Sequence, residues 1–335
     1  LLQGLITDER RTTLRRAELL GDWNEIEAEA VLNDLVYEAT LAYLEWAYSN
    51  REVQILTEGI ELATDRLAQT KESYFAGDKP ALDTLETNIT LRQRQADLQA
   101  AQGRLLAART FINQFLWPDS GLEPVNLALD LTPEPPLAVD RLPFGVSIAD
   151  NPTLRAYNFK IQDLQLERRL KTQKTLPKLS LKYEFLAEGF DFSPGTTEDG
   201  TSIGDFILQD NKWTLSFSTP IFMRSARGDL QLNAIKQQRT ELDRNQKAGE
   251  LELKLRQYQG QVTFLTDQLV ISRQIVNDYQ SLLEAEQIKF NLGESSVFLL
   301  NSRENKLLEA RLKLVKQEAD LAKAMAGRRW VTGGN

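Results

Sequence analysis

Two short runs, Leu179-Ser-Leu-Lys-Tyr-Glu-Phe185 and Lys212-Trp-Thr-Leu-Ser-Phe-Ser218, alternate between apolar and polar residues. Side chains of a strand point to opposite faces in turn. Leu179, Leu181, Tyr183 and Phe185 therefore share one face of the first run, and Trp213, Leu215 and Phe217 share one face of the second. Ser180, Lys182 and Glu184 oppose the first set; Thr214 and Ser216 oppose the second. A half-buried hairpin on a soluble domain has the same period of two. The aromatic content of the apolar faces and the helical sequence on both sides point instead to strands of a membrane barrel, where lipid-facing and lumen-facing residues alternate.

Composition narrows the alternatives. The chain has 335 residues, 26% of them charged and 41% hydrophobic, with a formal net charge of −8. No run approaches the roughly 18 apolar residues of a spanning helix, so any membrane contact must come from strands or an interfacial segment. Cysteine and histidine are both absent. Thiol chemistry, disulfides and Ser-His-Asp catalysis are thereby excluded, and the commonest metal ligand is missing. The acidic balance argues against a nucleic-acid partner. No cofactor site and no enzyme motif is legible.

Working outward from the strands, heptads dominate. A helix is expected from about Thr12 to Phe75, with one seam at Leu32, Ala39, Trp46, Val53, Ile60, Leu67 and Tyr74. A second seam reads Leu35, Ala42, Ser49, Leu56, Ala63 and Thr70, which marks a helix packed along its length as in a coiled coil. Some 60 residues of helix would reach roughly 90 Å, more than a compact domain of this size needs. The helix stops at Ala76-Gly-Asp-Lys-Pro80, glycine suiting the left-handed position after a helix and proline the next helix's start. A return helix carries Leu91, Leu98, Leu105 and Ile112 and ends near Trp117-Pro118. Residues 1–117 thus form a first helical repeat. Six prolines fall within 118–150, which reads as a linker with a short strand at Val125–Leu131. Asn151 and Pro152 open a helix over 151–175, followed by the β-hairpin over 176–223. A second helical repeat covers 224–326, with seam residues Leu255, Val262, Leu269, Val276, Leu283 and Phe290, a turn at 292–296, and a return through Leu307, Leu314 and Leu321. Residues 327–335 read as a tail.

Gly77 and Gly293 lie 216 residues apart, and at that offset the seams before and after the two turns coincide without a gap. This is an internal duplication. The second long helix follows a strand ending at Thr219-Pro-Ile-Phe222, whereas only Leu1–Ile6 precedes the first. The duplication therefore predicts a strand pair upstream of Leu1, together with a secretory signal.

With these elements in hand, the chain resembles the TolC family of outer-membrane efflux and secretion channels, over nearly its whole length. The carriers are Tyr74-Phe-Ala-Gly-Asp-Lys-Pro-Ala-Leu-Asp-Thr-Leu85 and Lys289-Phe-Asn-Leu-Gly-Glu-Ser-Ser-Val-Phe-Leu-Leu300, with Asn151-Pro152, Leu176-Pro-Lys-Leu-Ser-Leu181 and Trp213-Thr-Leu-Ser-Phe-Ser-Thr-Pro-Ile-Phe222. The resemblance implies a mainly α protein with a membrane β-hairpin. Its long antiparallel coiled-coil helices would form a trimeric α-barrel in the periplasm, and its strands would contribute to a shared twelve-stranded β-barrel in the outer membrane of a Gram-negative bacterium. The partners it implies are two further copies of the chain, a periplasmic adaptor (a membrane fusion protein), through it an inner-membrane transporter, and outer-membrane lipid. The adaptor-docking tips would be Gly77, Asp78, Lys79, Pro80 and Leu82 in one turn, and Gly293, Glu294, Ser295, Ser296 and Phe298 in the other. The linker and the tail would belt the tube.

The bottom-up reading agrees on oligomerisation, since a lone hairpin in lipid leaves its edge groups unpaired. Asp83 is a candidate pore-lining acid, with a helix-dipole role in the first turn of its helix as the alternative. Some family members carry two acidic constriction residues beside the second turn; the corresponding positions here are Leu299 and Ser302. Trp213 and Tyr183 suit either an interfacial aromatic girdle or contact with lipid tails. Arg92-Gln-Arg94 and Arg168-Arg169 read as solvated helix faces. A periplasmic adaptor or coiled-coil spacer would also show heptads around a tight turn, but the duplicated hairpin and the amphipathic strands favour the channel.

Overall fold

The structure is a computed structural model that describes residues 2–3, 9–116, 133, 147–185, 211–218 and 223–334. Five long helices dominate it: α1 (Glu9–Phe75), α2 (Ala81–Ile112), α3 (Pro152–Gln173), α4 (Arg224–Asn291) and α5 (Val297–Thr332). Three strands, β1 (Leu2–Gln3), β2 (Lys178–Phe185) and β3 (Asn211–Ser218), form one antiparallel sheet in the order β1-β2-β3. The chain divides into two compact units, Leu1–Ala30 with Pro152–Ala248, and Val31–Asn151 with Gly249–Asn335. The expected strand at 125–131 lies outside the described residues, as does the linker except for Pro133 and residues 147–150.

In the first unit the sheet accompanies α3 and the initial parts of α1 and α4. Leu154, Leu164 and Ile26 are buried there, and the Asn233 amide donates to the Leu164 carbonyl at 3.3 Å. Charged pairs line the same helices: Arg16 with Asp163, Arg155 with Glu29 at 2.9 Å, and Lys171 with Glu167 at 2.8 Å. Burial raises the Glu167 carboxyl, but the hydrogen bond and charge of Lys171, with Arg16 and Lys236, outweigh it and hold Glu167 below its ordinary value. Arg168 and Arg169 are exposed.

The second unit contains two helical hairpins. On α1 the second seam is buried from Ala42 through Ser49, Leu56 and Ala63 to Thr70, small residues letting the backbones come close, whereas Leu35 at its start is exposed. Trp46 and Ala108 share one core cluster with Ala42 and Ile112, while Val262 and Ala324 share another with Leu269 and Leu321. Trp46 corresponds to Val262, and Ala108 to Ala324, at the repeat offset of 216, so the two hairpins bury equivalent contacts.

Two sequence expectations need correction here. The tail expected from residue 327 is instead helix: α5 continues to Thr332, with Arg328 and Val331 buried. The last carbonyls of a helix lack internal partners. Here the Asn33 amide donates to the Trp330 carbonyl at 3.0 Å and the Asn151 amide to the Val331 carbonyl at 2.9 Å. Trp330 also stacks on Tyr37 with ring centroids 5.0 Å apart, and its indole N–H donates to Asp34 at 2.6 Å. Polar partners 180 to 297 positions away in the chain thus hold a segment whose own sequence reads as an end.

The second correction concerns Arg94. Arg92 is exposed, but Arg94 is buried, in line with Thr87, Ala101 and Ala108. Its guanidinium donates to the Gly59 carbonyl at 2.6 Å and lies 3.3 Å from the Glu304 carboxylate. The leucines expected at the α2 seam, Leu91, Leu98 and Leu105, are only half-buried and flank that line.

Candidate functional site: the paired helix turns and the strand faces

The two turns close with the same backbone chemistry. In the first, Gly77 N–H donates to Tyr74 O at 3.0 Å and Asp78 N–H to Ser73 O at 2.9 Å. In the second, Gly293 N–H donates to Phe290 O at 3.1 Å and Glu294 N–H to Lys289 O at 2.9 Å. Both are Schellman closures, which need a left-handed residue after the helix; Gly77 has φ +83° and Gly293 φ +77°. All four bonds correspond pairwise at the repeat offset.

On the far side of the turns the chemistry diverges. The Ser296 hydroxyl accepts from Leu299 N–H at 3.2 Å and caps α5, while Pro80 at the start of α2 has no side-chain cap. Asp83 lies in the first turn of α2, where a carboxylate complements the helix dipole. Ser295 is engaged too: its hydroxyl donates to Glu286 at 2.6 Å, and Arg303 sits 3.5 Å from the same carboxylate. Lys79, the repeat equivalent of Ser295, reaches the other hairpin and places its ammonium 4.0 Å from the centre of the Phe290 ring. Asp78 and Glu294 are exposed.

The apolar residues beside the turns are exposed. Leu82 and Phe298, each the second residue of its helix and repeat-equivalent, are 69% and 66% exposed. Phe75 and Leu292 add to them. Leu82 and Phe298 are thus large apolar side chains left exposed at equivalent places in both hairpins.

At the sheet, the register pairs Leu179 with Phe217, Leu181 with Leu215 and Tyr183 with Trp213. The intervening positions pair Ser180 with Ser216, Lys182 with Thr214 and Glu184 with Lys212. Paired residues lie on the same face. One face of β2–β3 is therefore apolar position by position, and Trp213, Leu215 and Phe217 are exposed on it. Phe185 pairs with Asn211 at the end of the ladder. No helix among the described residues is long and apolar enough to cross a membrane.

A family model described as Outer membrane efflux protein matches residues 145–333, more than half of the chain. The chain belongs to the outer membrane efflux protein family. It is accordingly an outer-membrane channel protein and not an enzyme, with its helices in the periplasm. Among curated proteins none matches the chain in sequence. Among solved structures, the Campylobacter jejuni CmeC outer membrane channel superposes with a TM-score of 0.73 at 13% identity, covering 99% of this chain and 69% of its own. The outer-membrane channel OprN gives 0.73 at 18% identity, covering 97% and 72%. The outer membrane protein VceC from Vibrio cholerae gives 0.74 at 13% identity, covering 99% and 78%. At these identities the likeness is one of fold, and it extends over almost the whole efflux-family chain.

The charged group built around Glu304 escapes the sequence reading. Its one visible signal is a carboxylate set between Leu300 and Leu307 on a buried stripe of α5.

Proposed function

We propose that this efflux-family chain is the passive exit duct of a tripartite efflux pump or a type I secretion system. It works as a homotrimer whose strands close one twelve-stranded barrel, and its paired turns dock a periplasmic adaptor that leads to an inner-membrane transporter. The observation that carries this reading is the exposure of Leu82 and Phe298 at equivalent positions beside the two turns. A trimer would present six such apolar positions in two chemical versions, Asp78-Lys79-Pro80 beside one and Glu294-Ser295-Ser296 beside the other. Asp83, in the first turn of α2, would add a ring of three carboxylates at the same level.

The experiment is an efflux assay in a host that supplies the cognate adaptor and transporter. The double variant Leu82→Glu, Phe298→Glu should abolish efflux while trimer yield and outer-membrane insertion stay at wild-type levels. Normal efflux by that variant would remove the docking role of the turns.

A further inference from the structure

Between the two hairpins, Glu304 of α5 is 5% exposed and accepts from two arginines that are themselves buried, Arg66 of α1 at 7% and Arg94 of α2 at 3%. Arg66 Nη2 donates to Glu304 at 2.9 Å and to Gln287 of α4 at 2.6 Å. Arg94 Nη2 also donates to Asn305 at 3.0 Å, and Arg94 Nη1 to the Gly59 carbonyl at 2.6 Å. The carboxylate thus ties α5 to α1 and α2, and Arg66 extends the group to α4. The group is a poor device for stability alone: two cations share one anion, and neither arginine's Nε has a partner among the described residues. Well-packed apolar side chains commonly stabilise as much as a buried ionic cluster or more.

We propose that Glu304 is a register and pairing key for the two hairpins. Heptad helices can slide by seven residues, about 10 Å, and still offer apolar residues to apolar residues. Such a slide of α5 would bring Arg311 or Val297 to the place of Glu304. Arg311 would set three guanidiniums together, and Val297 would leave two buried arginines with no acid. Both outcomes are heavily penalised, which is how a buried polar group excludes alternatives. The same key separates the two repeats. At the offset of 216, Glu304, Arg66 and Arg94 correspond to Asn88, Leu282 and Ala310, so the first hairpin cannot supply the carboxylate, and the second supplies no arginines. A chain built from two nearly equivalent hairpins therefore pairs first with second, and in one alignment.

Cysteine crosslinking on this cysteine-free chain tests this. Glu58 and Arg311 face each other across α1 and α5, 3.4 Å apart. With a bifunctional thiol reagent that spans the reach of these two long side chains, a cysteine pair at 58 and 311 reports the native register, and pairs at 58 and 318 or at 51 and 311 report slides of one heptad in either direction. The wild-type key should give the first product alone. In the apolar variant Arg66→Met, Arg94→Met, Glu304→Leu, the thermal midpoint should hold or rise, while the native product falls below the sum of the two slid products. If that variant keeps the native product alone, or loses it without gaining either slid product, Glu304 is not a register key. Glu304→Gln, which strands both arginines, should lower the thermal midpoint. A midpoint unchanged in this variant would equally overturn the proposal.

Discussion

The Lys79 ammonium sits over the Phe290 ring, 4.0 Å from its centre, and so joins the first turn to the end of the helix that precedes the second. Arg66 approaches the same ring at 5.4 Å. Cations over an aromatic face contribute about 0.5–1 kcal/mol where solvent reaches them. Lys79→Ala should therefore lower stability by about that amount, and Lys79→Arg should retain most of it. Chemical denaturation of the purified protein, with Phe290→Leu as the second arm of a double-mutant cycle, gives the coupling directly.

Gly77→Ala and Gly293→Ala should each destabilise by about 1 kcal/mol, because both positions hold left-handed backbone that a Cβ opposes. A Cβ would meet nothing within 4 Å at either place, so the loss is one of backbone conformation and not of collision. Asparagine, which tolerates that conformation, should cost less at both positions. Thermal unfolding of the four single variants checks the ranking.

Gly327→Ala should act differently. A Cβ there would collide with the ring edge of Tyr258 around Cζ, whose hydroxyl is hydrogen-bonded to Tyr37 at 3.0 Å. Overpacking of this kind costs about 1–3 kcal/mol. Loss of the Tyr37–Trp330 stack, read as a change in Trp330 fluorescence, should accompany the fall in stability.

The contrast between these glycines shows what a sequence can reveal. The turn glycines follow from local backbone requirements, and the flanking seams repeat around them, so turns and duplication are legible from the residues alone. The line Ala42, Ser49, Leu56, Ala63 and Thr70 is equally legible, because period and small size together mark a close helix contact. Arg94 is not. A guanidinium is buried only where acceptors await it, and its acceptors, Gly59, Glu304 and Asn305, lie on other helices. The same holds for residues 327–332, whose helix depends on Asn33, Asp34, Tyr37 and Asn151. At the turns, Ser295 and Ser296 read as adaptor-docking positions, and their hydrogen bonds within the second hairpin are not legible in the sequence.

The strand register yields a further prediction. Leu215→Arg should impair membrane insertion, since an arginine on the lipid face near the midplane costs about 2–4 kcal/mol. Thr214→Lys, one residue away on the other face, should insert normally. Fractionation of outer membranes from cells expressing each variant separates them; equal insertion would mean that β2–β3 is not a barrel segment.

The central claim, that the paired turns receive the adaptor, is tested most directly by photocrosslinking in living cells. A photoreactive residue at Leu82 and at Phe298 samples the two turns separately, with Thr214 of β3 as a control in the membrane hairpin. Adducts with the periplasmic adaptor at both turn positions, and none at 214, are the predicted result. Absence of an adaptor adduct at both turns, or an equal yield at 214, would contradict it.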